Sequence, residues 1–120
     1  MGDLVRRRSL RGGGARDTVV QGNHIGTDAT GTNRLGNAFS GVGISSIPGN
    51  LIGGTNVEAR NIISGNNQSG VTIEGSLASN NIVQGNFIGV DITGRRSLSN
   101  GFNGVTIGSG PLNLVGGLVP

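Results

Sequence analysis

The sequence predicts an all-β solenoid, a parallel β-helix of roughly five coils. Three observations carry that prediction. First, the stretch beginning at Thr18 matches the stretch beginning at Asn81 without a gap. TVVQGNHIGTDATGTNRLGNAFSGVGISSIPGNLIGG (18–54) falls on NIVQGNFIGVDITGRRSLSNGFNGVTIGSGPLNLVGG (81–117), with more than half of the paired positions identical. Second, a shorter echo lies within this long repeat: NIISGN beginning at Asn61 and NIVQGN beginning at Asn81. Third, the 120 residues include 25 Gly and 14 Asn, and Val plus Ile (22) far exceed Leu (9). β-Branched side chains suit pleated strands, and Gly and Asn enter the left-handed turn region most cheaply. Units of about 20 residues, the spacing of the short echo, cannot bury an apolar face alone, so they must stack.

Residues 1–16, MGDLVRRRSLRGGGAR, read as a basic, disordered tail, because they are charged, Gly-rich and aperiodic. They carry five Arg against one Asp, whereas 17–120 carry four Arg and five acids. The net charge of +3 therefore belongs to the tail. The nearly neutral body offers no electrostatic footprint for nucleic acid. No apolar run of about 7–15 residues follows the arginines, so no secretory signal is expected within this chain. No segment reaches the roughly 18 apolar residues of a membrane span.

Residues 17–117 are expected to form the solenoid, with 118–120 as its C-terminal end. In GVTIEG, Val71 and Ile73 share one face and Thr72 the other, the period-two alternation of a strand. Val42 and Ile44 repeat it, as do Val105 and Ile107. These six are assigned to the interior with Val20, Ile25, Leu51, Ile63, Val83, Ile88 and Leu114. His24 is exchanged for Phe87 in the other copy, which points to an outward or loosely packed position. Phe39 and Phe102 are equivalent and are expected to pack beside the strands. Asn recurring at one corner of successive coils can stack its amide on the next. Asn61 with Asn81, or Asn66 with Asn86, are the pairs that the short echo suggests. The chain stops at NLVGGLVP, just after a strand, and solenoids need polar caps, so an uncapped fragment is expected.

The runs N-x-I-x-G-N-x-I-G-x-D-x-T-G and G-V-x-I…N-x-I-G-G resemble the right-handed parallel β-helix proteins of the pectate-lyase-like group. The closest likeness is to bacterial secreted or surface repeat proteins, over residues 18–117. The resemblance implies a right-handed coil and an extracellular or cell-surface location. For function it implies a polysaccharide lyase or hydrolase, an adhesin or a stalk.

Chemistry is sparse. The absence of Cys removes thiol nucleophiles and thiolate metal sites, and the absence of Lys removes Schiff-base chemistry. A single His cannot make a multi-histidine zinc site. The repeated acid is the Asp-x-Thr-Gly pair, Asp28 and Asp91, followed by variable segments holding Arg34, Arg95 and Arg96. A glycosidase pair needs carboxyl groups about 5–9.5 Å apart. Copies two or three coils apart lie roughly 10–14 Å apart at about 4.8 Å per coil. The bland reading makes each Asp the acceptor of an Asx-turn that opens a protruding loop. The sharper reading makes Asp28, Asp91, Arg34, Arg95 and Arg96 a ligand-binding set, with an acidic polysaccharide as partner. No cofactor is expected, calcium being the one metal that such loops could take. The expectation is a non-catalytic scaffold segment whose partners are flanking coils of the same or another chain. The alternative is a polysaccharide lyase, a glycoside hydrolase or a calcium-assisted glycan-binding module.

Overall fold

A computed structural model of the chain describes residues 18–116, together with the backbone of Leu4–Val5 and Arg8–Arg11. Twelve short strands wind into a parallel β-solenoid of about three turns, and no α-helix occurs among the described residues. The strands are β1 (Leu4–Val5), β2 (Arg8–Arg11), β3 (Val19–Val20), β4 (His24–Ile25), β5 (Val42–Ser45) and β6 (Leu51–Gly53). They continue as β7 (Ile62–Ile63), β8 (Val71–Glu74), β9 (Ile82–Gln84), β10 (Phe87–Ile88), β11 (Val105–Ile107) and β12 (Leu114–Val115). Three sheets of four strands result: a first sheet β1-β4-β7-β10, a second β2-β5-β8-β11 and a third β3-β6-β9-β12. Every third strand returns to the same sheet, so β4–β6, β7–β9 and β10–β12 are successive coils, here coils two, three and four.

The coil is longer than the short echo suggests. Val42 pairs with Val71, and Val71 pairs with Val105. Val42 and Val105 are equivalent positions in the two copies of the long repeat. The repeat is therefore two coils, and the five shorter coils expected become four ranks of strands. Asn61 and Asn81, which open the two halves of the echo, stand at different corners, before β7 and β9.

Three files of side chains fill the interior. Ile25, Ile63 and Ile88 come from the first sheet, Val42 and Ile44 with Val71 and Ile73 from the second, and Val20, Ile52 and Val83 from the third. Each fully buried Val or Ile stabilises the stack by about 1.5–3 kcal/mol relative to exposure. The expected interior holds except in two respects. Leu51 and Leu114 sit one residue out of register, because Ile52 is the residue opposite Val20 and Val83. A one-residue slip in a strand reverses the face. Ile107 and Leu114 are 41 % and 46 % exposed, since no further strand covers coil four among the described residues. Phe39 and Phe102, expected to pack beside the strands, are instead 54 % and 75 % exposed.

The corners are closed by asparagine. At the entry to the first sheet, Asn23 donates through its backbone N–H and Nδ2 to Asn61 Oδ1 (3.0 and 3.3 Å). Asn61 in turn donates to Asn86 Oδ1 (3.2 and 2.9 Å). Between the first and second sheets Asn37, Asn66 and Asn100 repeat the arrangement. At the third sheet Asn50, Asn81 and Asn113 do so again. The Nδ2 groups also reach back to carbonyls of the preceding coil, as Asn61 does to Val20 (2.9 Å). Each amide thus satisfies turn groups in three coils, which is why Asn50, Asn61, Asn66 and Asn81 are buried at almost no cost in unmade hydrogen bonds. Stacked amides are expected from the sequence; their pairing follows the true coil length instead of the short echo.

Within the stretch expected to be a disordered tail, the backbone of β1 and β2 pairs in parallel with β4 and β5. Among the described strands β1 and β2 stand outermost in the first and second sheets, the position at which a strand edge can template a further strand. The rest of residues 1–16, Asp17 and residues 117–120, including the expected 118–120 end, lie outside the described residues.

Candidate functional site

The outward face of the first sheet carries His24, Ile62 and Phe87 in one register file. Sixteen residues link β4 to β5 and sixteen link β10 to β11, but seven link β7 to β8. Coils two and four therefore carry a loop that coil three lacks. Both loops have one geometry. Thr27 and Arg34, or Val90 and Ser97, form an antiparallel bridge at the base. The N–H of Gly31 donates to Asp28 O (3.0 Å), and that of Gly94 to Asp91 O (2.9 Å). Gly31 and Gly94 share a φ of 73°, the left-handed turn that the repeated Thr-Gly requires.

Each loop folds back over the outward ring of its own coil. A Cβ added at Gly31 would lie 3.5 Å from His24 Cε1, and one at Gly94 would lie 2.9 Å from Phe87 Cε2. His24 is therefore outward, as expected, yet only 4 % exposed. Its Nδ1 is buried and has no hydrogen-bond partner among the described residues. Because coil three has no loop, the loop of coil four reaches that of coil two, and Ile92 N–H donates to Gly31 O at 2.9 Å.

The five residues singled out in the sequence divide. Asp28 Oδ1 accepts from Thr30 Oγ1 (2.6 Å) and the N–H groups of Thr32 and Asn33 (3.3 and 3.4 Å), while Asn33 Nδ2 donates to Oδ2 (2.8 Å). Asp91 Oδ1 accepts from the Thr93 N–H (3.0 Å) and from its hydroxyl, the Asx-turn anticipated from sequence. The Thr30 hydroxyl, followed by the Asn33 amide, holds the Asp28 carboxyl well below the usual carboxylate range. The Thr93 hydroxyl lowers that of Asp91, against the opposing effect of desolvation. Both carboxylates are thus occupied in building their own loops. Arg34, Arg95 and Arg96 are exposed on the loop flanks.

A groove of about 410 Å³ opens beside the loops, with His24 and Ile62 as floor and Ile92 as one wall. The other wall is a short 3-10 turn, Val57–Ala59, whose Val57 and Glu58 line the groove with Arg60 just beyond. The Arg60 guanidinium lies 4.0 Å from the Phe87 ring centroid, a cation–π contact. Neither Arg60 nor Glu58 is singled out by the sequence. Both lie in 55–60, which falls between the two copies of the repeat and has no counterpart to compare. Chemically the groove offers one imidazole, one carboxylate and one guanidinium over an apolar floor. It holds one carboxyl group where hydrolysis of a glycosidic bond uses two. Among the described residues no group of three or more His, Asp or Glu could hold a metal ion, and no helix is long and apolar enough to cross a membrane. Comparison of the chain with family models, with characterised proteins and with solved structures finds no match.

Proposed function

We propose that this chain is a non-catalytic scaffold segment, stalk- or adhesin-like, within a larger secreted or cell-surface protein of the pectate-lyase-like β-helix kind. The observation that carries the reading is the set of three asparagine ladders. They spend the chain's most frequent polar side chain on axial continuity. Their last members, Asn86, Asn100 and Asn113, stand at an edge where further coils of the same or another chain would stack. The repeated carboxylates support it too, since turn formation accounts for both.

Incubating the full chain with uronic-acid polymers and neutral glycans, with and without calcium, tests the non-catalytic part. No new reducing or unsaturated ends are expected, and cleavage of any polymer overturns it. Sedimentation across a concentration series tests the stacking part. Concentration-dependent association is expected, and Ile107→Lys, which puts a charge on the exposed edge, should abolish it. A monomer at every concentration counts against stacking.

A further inference from the structure

Looped and loopless coils alternate along the stack. Coils two and four carry the sixteen-residue link, coil three has seven residues there, and only two separate β1 from β2 in coil one. This alternation lets the loop of coil four reach over coil three and bond Gly31 O. The resulting loop-to-loop column has two unfilled ends. At one, the exposed N–H of Ala29, the equivalent of Ile92, has no acceptor among the described residues. At the other, the exposed Gly94 O, the equivalent of Gly31 O, has no donor among them. Coil one also matches coil three in register. Through coil two, Val5 stands in file with Ile63, Leu10 with Ile73 and Val20 with Val83. Those three places in coil three belong to the core. Arg8 is the exception, in file with Val71. Thr18, just before β3, donates its N–H to Asn50 Oδ1 at 2.9 Å, as Asn50 does to Asn81 at 2.8 Å. Coil one therefore continues that ladder, with a hydroxyl oxygen where later coils carry an amide oxygen.

We propose that coil four receives coil one of a second copy of this chain, joined as coil three joins coil two. The inference rests on the stacking reading above and fixes its partner and register. A loopless coil on coil four preserves the alternation, so the loop of the incoming coil two stands over that of coil four. Its Ala29 N–H donates to Gly94 O, the bond that Ile92 makes to Gly31 O within one chain. The strands β10, β11 and β12, outermost in their sheets among the described strands, gain the incoming β1, β2 and β3 as parallel partners. The Asn113 N–H meets the incoming Thr18 hydroxyl oxygen and extends its ladder. A partner bringing a looped coil onto coil four would instead crowd two long links within one strand spacing, about 4.8 Å. Arg8 keeps the joint weak, because a charge in an interior file is a device by which strand edges resist pairing.

The test is site-resolved, quenched hydrogen exchange on the full chain, across the same concentration series as the sedimentation. The Ile92 amide, bonded within one copy, is expected to be protected at every concentration. The Ala29 amide should exchange freely in the monomer and gain protection as copies associate. Ala29→Pro removes that donor at the second position of the Asp28–Gly31 turn, which suits proline. It should weaken association about tenfold and leave the Ile92 amide protected. Should Ile92 lose protection in that variant, the wild-type exchange decides alone. Arg8→Val should strengthen association about tenfold. Association in which the Ala29 amide still exchanges freely, or which Arg8→Val leaves unchanged, overturns this joint. The stacking reading survives that result if Ile107→Lys still abolishes association. A chain that stays monomeric throughout overturns both.

Discussion

The two copies of the long repeat share a pattern and differ in surroundings. In the first copy Ile44 is 1 % exposed, and its equivalent in the second, Ile107, is 41 % exposed. A Cβ at Gly26 would fall 2.1 Å from Ser64 O, while at the equivalent Gly89, with nearly the same φ (90° and 83°), it would meet nothing within 4 Å. Asp91 is buried, and Asp28 is only partly so. The same residue in the same local fold thus has its environment set by the coils beside it. That is the quasi-one-dimensional behaviour of a solenoid, in which stability resides in neighbour interfaces as much as in the units.

Matched substitutions in the two copies can break or sharpen this comparison. The largest effect is expected at glycine. Gly26→Ala drives a methyl into a backbone carbonyl and should cost about 4 kcal/mol or more. Gly89→Ala carries only left-handed strain, about 1–2 kcal/mol. Urea unfolding of both variants measures the difference, and equal losses would falsify the neighbour argument. Next, Ile44→Ala should cost about 3–4 kcal/mol by opening a cavity, against about 1 kcal/mol for Ile107→Ala. Asn66→Ala comes third. It strands turn donors and acceptors in neighbouring coils and should cost about 2–3 kcal/mol, more than Asn100→Ala at the last rung. A ladder in which both cost the same would be cooperative along its whole length.

His24→Phe installs the residue that coil four already carries under the same loop. It removes an unpartnered buried nitrogen and should stabilise the chain by about 1 kcal/mol, seen as a higher melting temperature. A lower one would mean that the first loop is shaped for the smaller ring. The smallest expected effect is with pH. Both Asp carboxyls titrate below their ordinary value of 3.8 when folded. Their contribution is fully present above that value and fades as pH falls below it towards the depressed folded values. Melting curves from pH 5 downwards should steepen below about pH 4, and Asp28→Asn with Asp91→Asn should flatten that slope.

The solenoid was legible in the sequence because the repeat and the Gly/Asn corners answer one physical demand. The coil length was not, for the same reason. All three corners need a residue that turns sharply and bonds to its neighbours, so NIISGN and NIVQGN look alike while entering different sheets. The short echo measures corner to corner, which is only part of a coil. The loops were legible as turns from Asp-x-Thr-Gly. Their mutual contact was not, since it depends on a shortening in coil three, where SGNNQSG (64–70) stands in place of the longer link. Arg60 and Phe102 became visible as surface chemistry only when burial was known.

The ladders have a direction. In every rung the earlier coil donates through N–H and Nδ2 and the later coil accepts at Oδ1. The series is therefore polar: in its last described rung the Oδ1 atoms of Asn86, Asn100 and Asn113 are filled from the earlier coil, which leaves their backbone N–H groups for a later one. Two copies brought together by this end would set donor against donor at all three corners. The stacking proposed above would then run head to tail, and head-to-tail contacts with no closing rotation generate open filaments instead of dimers. A protein built this way has a polarity like that of a cable with a plug and a socket, and its length is set by whatever terminates the series.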